Sequence, residues 1–173
     1  HITETGLLDY LFTTLAVLMW VGVLTTLVGT GAAWLVTSLE FPGRRTLEWM
    51  LVLPLASPAY IIGYVYTDLL DFAGPVQSFL RSLTGWEAHE YFFPPIRTLE
   101  GAGIVLAFVL YPYVYLLARS AFLNQSQTRF AAARSLGASP LRAFWSVALP
   151  AARPAILGGL ALTLMETAAD FGV

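Results

Sequence analysis

Two carboxylates, Glu166 and Asp170, stand four residues apart in an apolar run that opens near Pro154. On a helix that spacing puts both on one face. Measured from Pro154, they lie roughly 18 Å and 24 Å along the helix axis. Bare carboxylates at such depth in hydrocarbon are costly, so they must face a partner helix or a water-filled path. Three kinds of chemistry fit the pair. It could line a path for a cation, since a hard ion prefers oxygen ligands. It could relay protons. It could also form an internal hydrogen bond or ion pair that only holds helices together.

Tyrosines are the next candidates. Tyr60 and Tyr64 share a helical face beside Pro54 and Pro58, while Tyr111, Tyr113 and Tyr115 alternate through "LYPYVYLLAR". Tyr60 and Tyr64 join Glu166 and Asp170 as candidates for a translocation path, although packing is the commoner role of tyrosine in membrane spans. Asp68 and Asp71 stand where a span would end, to meet a partner or only water. His89 lies between Glu87 and Glu90, but the spacing matches no tight ligand set, so a solvated loop and no metal site are expected. No catalytic residue is expected either.

The elements that position these groups follow from charge distribution. The 173 residues are 57% hydrophobic and 12% charged, too little charge to cover a soluble surface of this size. No charge occurs between Asp9 and Glu40, between Glu48 and Asp68, or between Glu100 and Arg119. Each gap approaches or exceeds the roughly 20 residues that cross a bilayer core, and none carries a polar stripe at helical period. The fold class is an all-α integral membrane protein, a multi-span bundle. Four spans are expected, at about 10–39, 49–67, 101–118 and 154–173, with 124–153 as a connecting segment. Pro54 and Pro58 predict a kink in the second. The sequence opens at His1 and stops inside an apolar run at Val173, so a fragment of a longer protein is expected.

Cysteine is absent, which excludes thiol catalysis and Cys metal sites. All nine basic residues are arginine, so no lysine is present to build a P-loop. Any ATP-driven step must use another polypeptide. The connection from Arg119 to Arg153 holds five arginines and no acid, and the short turn after the first span holds Arg44 and Arg45. The connection 68–100 is acidic. The positive-inside rule puts the two basic connections in the cytoplasm and 68–100 outside, which agrees with the parity of four spans. Within 68–100, residues 76–83 could form a short helix at the membrane surface, with Trp86, Tyr91, Phe92 and Phe93 suited to the interface.

The segment "FAAARSLGASPLRAFWSVALP", residues 130–150, combines helix signals with arginine. Ser126 or Thr128 can cap a short helix through Ala131, Ala132 and Ala133, and Gly137 suits a left-handed end. Ser139 can cap a second helix with Pro140 in first position. There Leu141, Phe144, Trp145, Ala148 and Leu149 share one apolar face, with Arg142 and Ser146 off it. Pro150 and Pro154 are expected to break the chain before the next span. Physics alone leaves two readings open: a hairpin on anionic lipid, or a docking knob for a cytoplasmic partner. Nucleic-acid binding does not fit a short segment pinned between two spans.

The segment resembles the EAA motif of permease subunits of binding-protein-dependent ABC importers: EAA, three residues, Gly, nine residues, Ile, any residue, Leu-Pro. Ala131, Ala132, Ala133, Gly137, Val147, Leu149 and Pro150 fill those slots, with Arg134 among them. The motif's glutamate is Ala131 here. "YPYVYLLARSAF" and "LMETAADFGV" also look like the ferric-iron importer permease family, which is similar to two fused permease domains. The resemblance implies the first such domain, with two short cytoplasmic coupling helices and a place in the bacterial inner membrane. It implies a cytoplasmic ATPase dimer that holds ATP-Mg, an extracytoplasmic iron-binding protein, a second permease domain, and no cofactor on this chain. Thiamine, polyamine and sulfate permeases share the coupling motif. A proton-coupled secondary transporter and a non-transporting scaffold are the rivals outside the class.

Overall fold

The computed structural model describes residues 5–56, 58–87, 90–93, 98–124, 132–133 and 135–170, with Thr5, Ala59, Tyr60, Ile62 and Asp170 described for backbone only. The described residues are helical, and no strand occurs among them. The order is α1 (Thr5–Ser38), α2 (Arg44–Met50), a 3₁₀ turn (Leu53–Ala56), α3 (Ala59–Leu70), α4 (Pro75–Thr84), α5 (Leu99–Asn124), α6 (Pro140–Ala143), a π turn (Phe144–Ala148) and α7 (Leu149–Asp170).

Three helices among the described residues are long and apolar enough to cross a membrane: Gly6–Ser38, Leu99–Asn124 and Pro140–Ala169. They correspond to the first, third and fourth expected spans, and α5 sits between α1 and α7. Small residues set the packing distance. A Cβ on Gly29 of α1 would stand 2.8 Å from Val114 Cβ, and one on Gly159 of α7 would stand 2.7 Å from Val114 Cα. Both neighbours therefore press against α5 at the same residue, which only glycine allows. Val114, Tyr115 and Ala118 are fully buried there with Ala33, Val36 and Ala152. Two buried threonines satisfy their hydroxyls within their own helix: Thr25 donates to the Val21 carbonyl at 2.8 Å, and Thr167 to that of Thr163 at 2.8 Å. The opposite face of α1 shows Leu8, Phe12, Leu15, Met19 and Leu27 to the surroundings, as a lipid-facing helix does.

The second span is not one helix. It runs from the end of α2, after Glu48, through the 3₁₀ turn to α3, and the prolines explain the breaks. A proline ring clashes with the carbonyl four residues back; α2 ends at Met50, four residues before Pro54. Pro58 then stands as the N-cap of α3, at φ −55° and ψ 139°. The expected kink is thus a break into separate pieces. The pieces still run antiparallel to α5: Glu48 meets Arg119, Pro54 and Ala56 meet Val109 to Tyr113, and Tyr66 packs with Val109 and Leu110.

The last span differs from expectation at its start. The helix does not begin near Pro154 but runs from Pro140 through the π turn into α7, with Pro150 and Pro154 inside it. Pro150 has no N–H for the Ser146 carbonyl. The chain widens instead, and the Leu149 N–H reaches back five residues to the Phe144 carbonyl. A π turn makes room for the proline ring where a regular turn would clash. The second coupling helix is therefore not a separate short helix but the leading end of the fourth span.

Candidate translocation cavity and coupling turn

The break in the second span opens a cavity of about 280 Å³, lined by Pro54, Leu55, Ala56, Pro58, Val109, Leu110, Tyr113 and Glu166. Three elements build it. The 3₁₀ turn supplies one wall, the middle of α5 the second, and α7 the third. Val109 to Tyr113 are the central residues of α5, so the cavity lies near mid-bilayer. Counted from Leu149, where α7 starts, Glu166 is about 25 Å along the helix. It is the charged residue among the lining residues. The Gly159–Val114 contact below it sets how far α7 stands from α5, and hence the width of the cavity between Glu166 and Tyr113.

The other path candidates are not all gathered there. Tyr64 is 72% exposed on α3 and does not line the cavity. The side chains of Tyr60 and Asp170 lie outside the described residues. Tyr111 and Tyr115 are buried in the packing between helices, as the packing role requires. Tyr113, one of an alternating set in the sequence, is the tyrosine that reaches the cavity.

The basic end of the bundle holds a contact that sequence reasoning missed. Glu48 of α2 accepts from Arg44 Nε at 3.1 Å and from Arg119 at 2.8 Å, across 71 residues of chain. Burial opposes its charge, but the hydrogen bond from Arg44 and the neighbouring Arg119 guanidinium outweigh that and hold its carboxyl below the usual value. The signals in the sequence were an acid four residues after Arg44 and a single arginine closing a span.

In the coupling segment, Ala131, Arg134, Ser126 and Thr128 lie outside the described residues. The rest forms as its local signals predict. The Leu136 N–H donates to the Ala132 carbonyl at 3.1 Å, and the Ala138 N–H to the Ala133 carbonyl at 3.0 Å. Gly137 has φ +85°, so the turn closes in a left-handed conformation. Ser139 Oγ accepts from the Arg142 N–H at 3.2 Å, with Pro140 in first position. Part of the expected apolar face turns inward: Ala148 is buried and Phe144 and Leu149 are half-buried, whereas Leu141 and Trp145 are exposed and Ala143, off that face, is buried. Phe144 turns inward onto Trp34, with ring centroids 4.7 Å apart, and Phe122 closes the cluster at 5.5 Å from Trp34. These aromatic contacts with α1 and α5 outweigh the local periodicity. Leu136, Leu141 and Trp145 remain as an exposed apolar knob. Of the other motif residues, Val147, Leu149 and Pro150 are half-buried at the start of α7.

Over residues 25–173 the chain matches the family described as binding-protein-dependent transport system inner membrane component. The chain belongs to that family. It is 29% identical over 140 residues to the sulfate transport system permease protein CysT of Salmonella typhimurium, covering 81% of this chain and 48% of that protein. It is 34% identical over 140 residues to the sulfate transport system permease protein CysW of Escherichia coli, covering 81% and 45%. It is 30% identical over 150 residues to the putative 2-aminoethylphosphonate transport system permease protein PhnU of Salmonella choleraesuis, covering 85% and 51%. The chain spans about half the length of the curated relatives it matches. These relatives are named for sulfate and an aminophosphonate rather than for ferric iron, so the importer class expected from the motif stands and the finer iron assignment does not gain support.

Proposed function

We propose that this chain is the membrane permease part of an ATP-driven importer and that the cavity beside Pro54 and Pro58 belongs to its translocation path. The observation that carries the path is the Glu166 carboxylate in a cavity near mid-bilayer, at a break in a span. A charge there needs water or a passing partner, and a broken helix needs the same for its freed backbone groups. The segment 124–153 docks on a cytoplasmic ATPase that holds ATP-Mg. A second permease domain completes the path, and a solute-binding protein delivers the substrate to the 68–100 side.

For the substrate, a sulfate-class oxyanion is the reading that the relatives favour. Ferric iron is the second reading, and Glu166 is the observation that favours it: a carboxylate on the path suits a hard cation better than an anion. The two separate by experiment. The complete importer, in proteoliposomes with its binding protein and internal ATP, takes up labelled sulfate or labelled ferric iron. Uptake of sulfate alone selects the first reading, and uptake of iron alone the second. Replacing Glu166 and Asp170 by Gln and Asn leaves the protein folded and lowers uptake in either case. Unchanged uptake by that double variant removes the cavity from the path. Uptake that persists without ATP and collapses without a proton gradient removes the importer reading.

A further inference from the structure

Helix α4 divides into three sectors. Gln77 and Arg81 face the protein: Gln77 Nε2 donates to the Leu70 carbonyl at 2.9 Å, Tyr91 Oη donates to Gln77 Oε1 at 2.8 Å, and Arg81 donates to Tyr91 Oη and to the Phe72 carbonyl, each at 2.9 Å. Ser78 and Ser82 are exposed on a second side. Val76, Phe79 and Leu83 form the third, at helical spacing, and are 36%, 64% and 68% exposed. Phe72, just before the helix, lies on the Arg81 side, with the guanidinium 4.5 Å from its ring centroid, so the apolar sector is that of Val76, Phe79 and Leu83.

The position of α4 decides what that sector meets. The corner between α3 and α4 is tight. The Gly74 N–H donates to the Asp71 carbonyl at 2.8 Å, and a Cβ on Gly74 would lie 2.6 Å from the Leu69 carbonyl oxygen. The start of α4 is thereby held against the last turn of α3, where Asp68 and Asp71 mark the exit of the chain from hydrocarbon. Beyond α4, Trp86 stacks on Tyr91 with centroids 6.0 Å apart, an aromatic pair suited to the headgroup level. A helix fixed at a bilayer exit, with water-facing serines, an arginine and a separate uncharged apolar face, has the pattern of a helix lying in the interface plane.

We propose that α4 is an interfacial anchor, with the stripe of Val76, Phe79 and Leu83 seated on the acyl boundary of the leaflet where α3 emerges. The partner is the lipid surface, which such a helix enters by about 5–10 Å. The anchor then holds the outer piece of the broken span at a fixed depth, as the Glu48–Arg119 pair holds α2 at the other end, leaving the 3₁₀ turn between two fixed ends. This placement is independent of which solute crosses.

The test uses the assembled importer in vesicles of phosphatidylethanolamine and phosphatidylglycerol. This chain contributes no native cysteine, so single cysteines at Phe79, Leu83, Ser78 and Ser82 can carry a fluorophore. Each is quenched in turn by a lipid with a doxyl group near its headgroup and by aqueous iodide. The expected result is strong lipid quenching and weak iodide quenching at positions 79 and 83, with the reverse order at 78 and 82. Equal iodide access at all four positions would place the stripe in water and overturn the proposal. Protection of 79 and 83 from both quenchers would put a protein on the stripe, and overturns it too. Phe79, Leu83 and Ser82 take no part in the Gln77–Arg81–Tyr91 network, and Ser78 supplies only a further acceptor for Arg81 at 3.2 Å, so the bonds to Leu70, Phe72 and Tyr91 that hold the anchor remain in each variant.

Discussion

Gly158 and Gly159 are neighbours on α7, yet the same substitution should have opposite outcomes at the two. At Gly158 an added Cβ meets Leu117 Cδ1 at 3.7 Å, an ordinary contact. At Gly159 it meets Val114 Cα at 2.7 Å, the Tyr113 carbonyl at 3.0 Å and the Val114 nitrogen at 3.1 Å, all backbone. Carbon atoms rest at about 3.5–4.0 Å, so α7 and α5 must separate by roughly 0.8 Å or more. Backbone cannot rotate away as a side chain can, and overpacking of this kind costs about 1–3 kcal/mol. That corresponds to roughly a fivefold to hundredfold fall in the folded fraction ratio. Gly158→Ala removes a flexible residue from a helix interior and should be neutral or stabilising by up to about 1 kcal/mol. Equilibrium unfolding of each variant in mixed micelles, followed by circular dichroism, measures the difference. Because Gly159 sets the α5–α7 distance beneath Glu166, the Ala variant should also lose uptake. Equal stability of the two variants would refute the close approach at Val114 and the cavity geometry built on it.

Glu48→Gln removes the charge that joins α2 to α5. Hydrogen bonds to charged groups contribute about 1.5–3 kcal/mol, and the partial exposure of this group puts the loss at the low end. Because the folded carboxyl titrates below its ordinary value, its contribution is complete above the unfolded pKa and fades as the pH falls through the folded one. Stability of the unaltered protein should therefore decline on that acid limb, and the Gln variant should show a shallower decline in the same unfolding assay; identical acid limbs would count against the ion pair. Gly137→Pro forces φ to the negative side at a residue that needs +85°. Insertion should be unaffected while uptake falls relative to ATP hydrolysis, and normal coupling ratios in vesicles would show that the turn transmits nothing.

What could be read from the sequence was what local chemistry decides. The Gly137 turn, the Ser139 cap with Pro140, the helix within 76–83 and the three long apolar spans each follow from residues within one or two turns. The misreadings came from long-range contacts or from tolerance of a local defect. Leu141 and Trp145 have the periodicity of a buried face, but Phe144 finds Trp34 and Phe122, which no local window includes. Pro150 and Pro154 look like stops, yet a π turn absorbs the first, and the second lies in a helix already under way. Glu48 and Arg119 are separated by 71 residues and have no pattern that links them. For the cavity, Glu166 was visible as a carboxylate deep in an apolar run, while Tyr113, which lines the same cavity, was one of three equivalent tyrosines until the helices were packed.

The continuity of α6, the π turn and α7 changes how a push at the coupling turn would reach the cavity. With a break at Pro150 or Pro154, a shift of Gly137–Ser139 would be lost in a joint before the span. Instead one helical rod runs from Pro140 to beyond Glu166, about 40 Å at the helical rise. A rod of that kind transmits tilt and rotation, but its π turn is the one place where the hydrogen-bond register differs and where bending costs least. That turn is clamped by Phe144 against α1 and α5, so the fulcrum sits at the aromatic cluster rather than at a loop. Motion on the knob side of the fulcrum would swing the Glu166 side the other way, relative to the 3₁₀ turn that lines the same cavity. The opposing wall is the broken span, held near the same end by Glu48 and Arg119. The cavity is therefore bounded by one continuous helix and one span broken at Pro54 and Pro58, an arrangement that would suit a change of access.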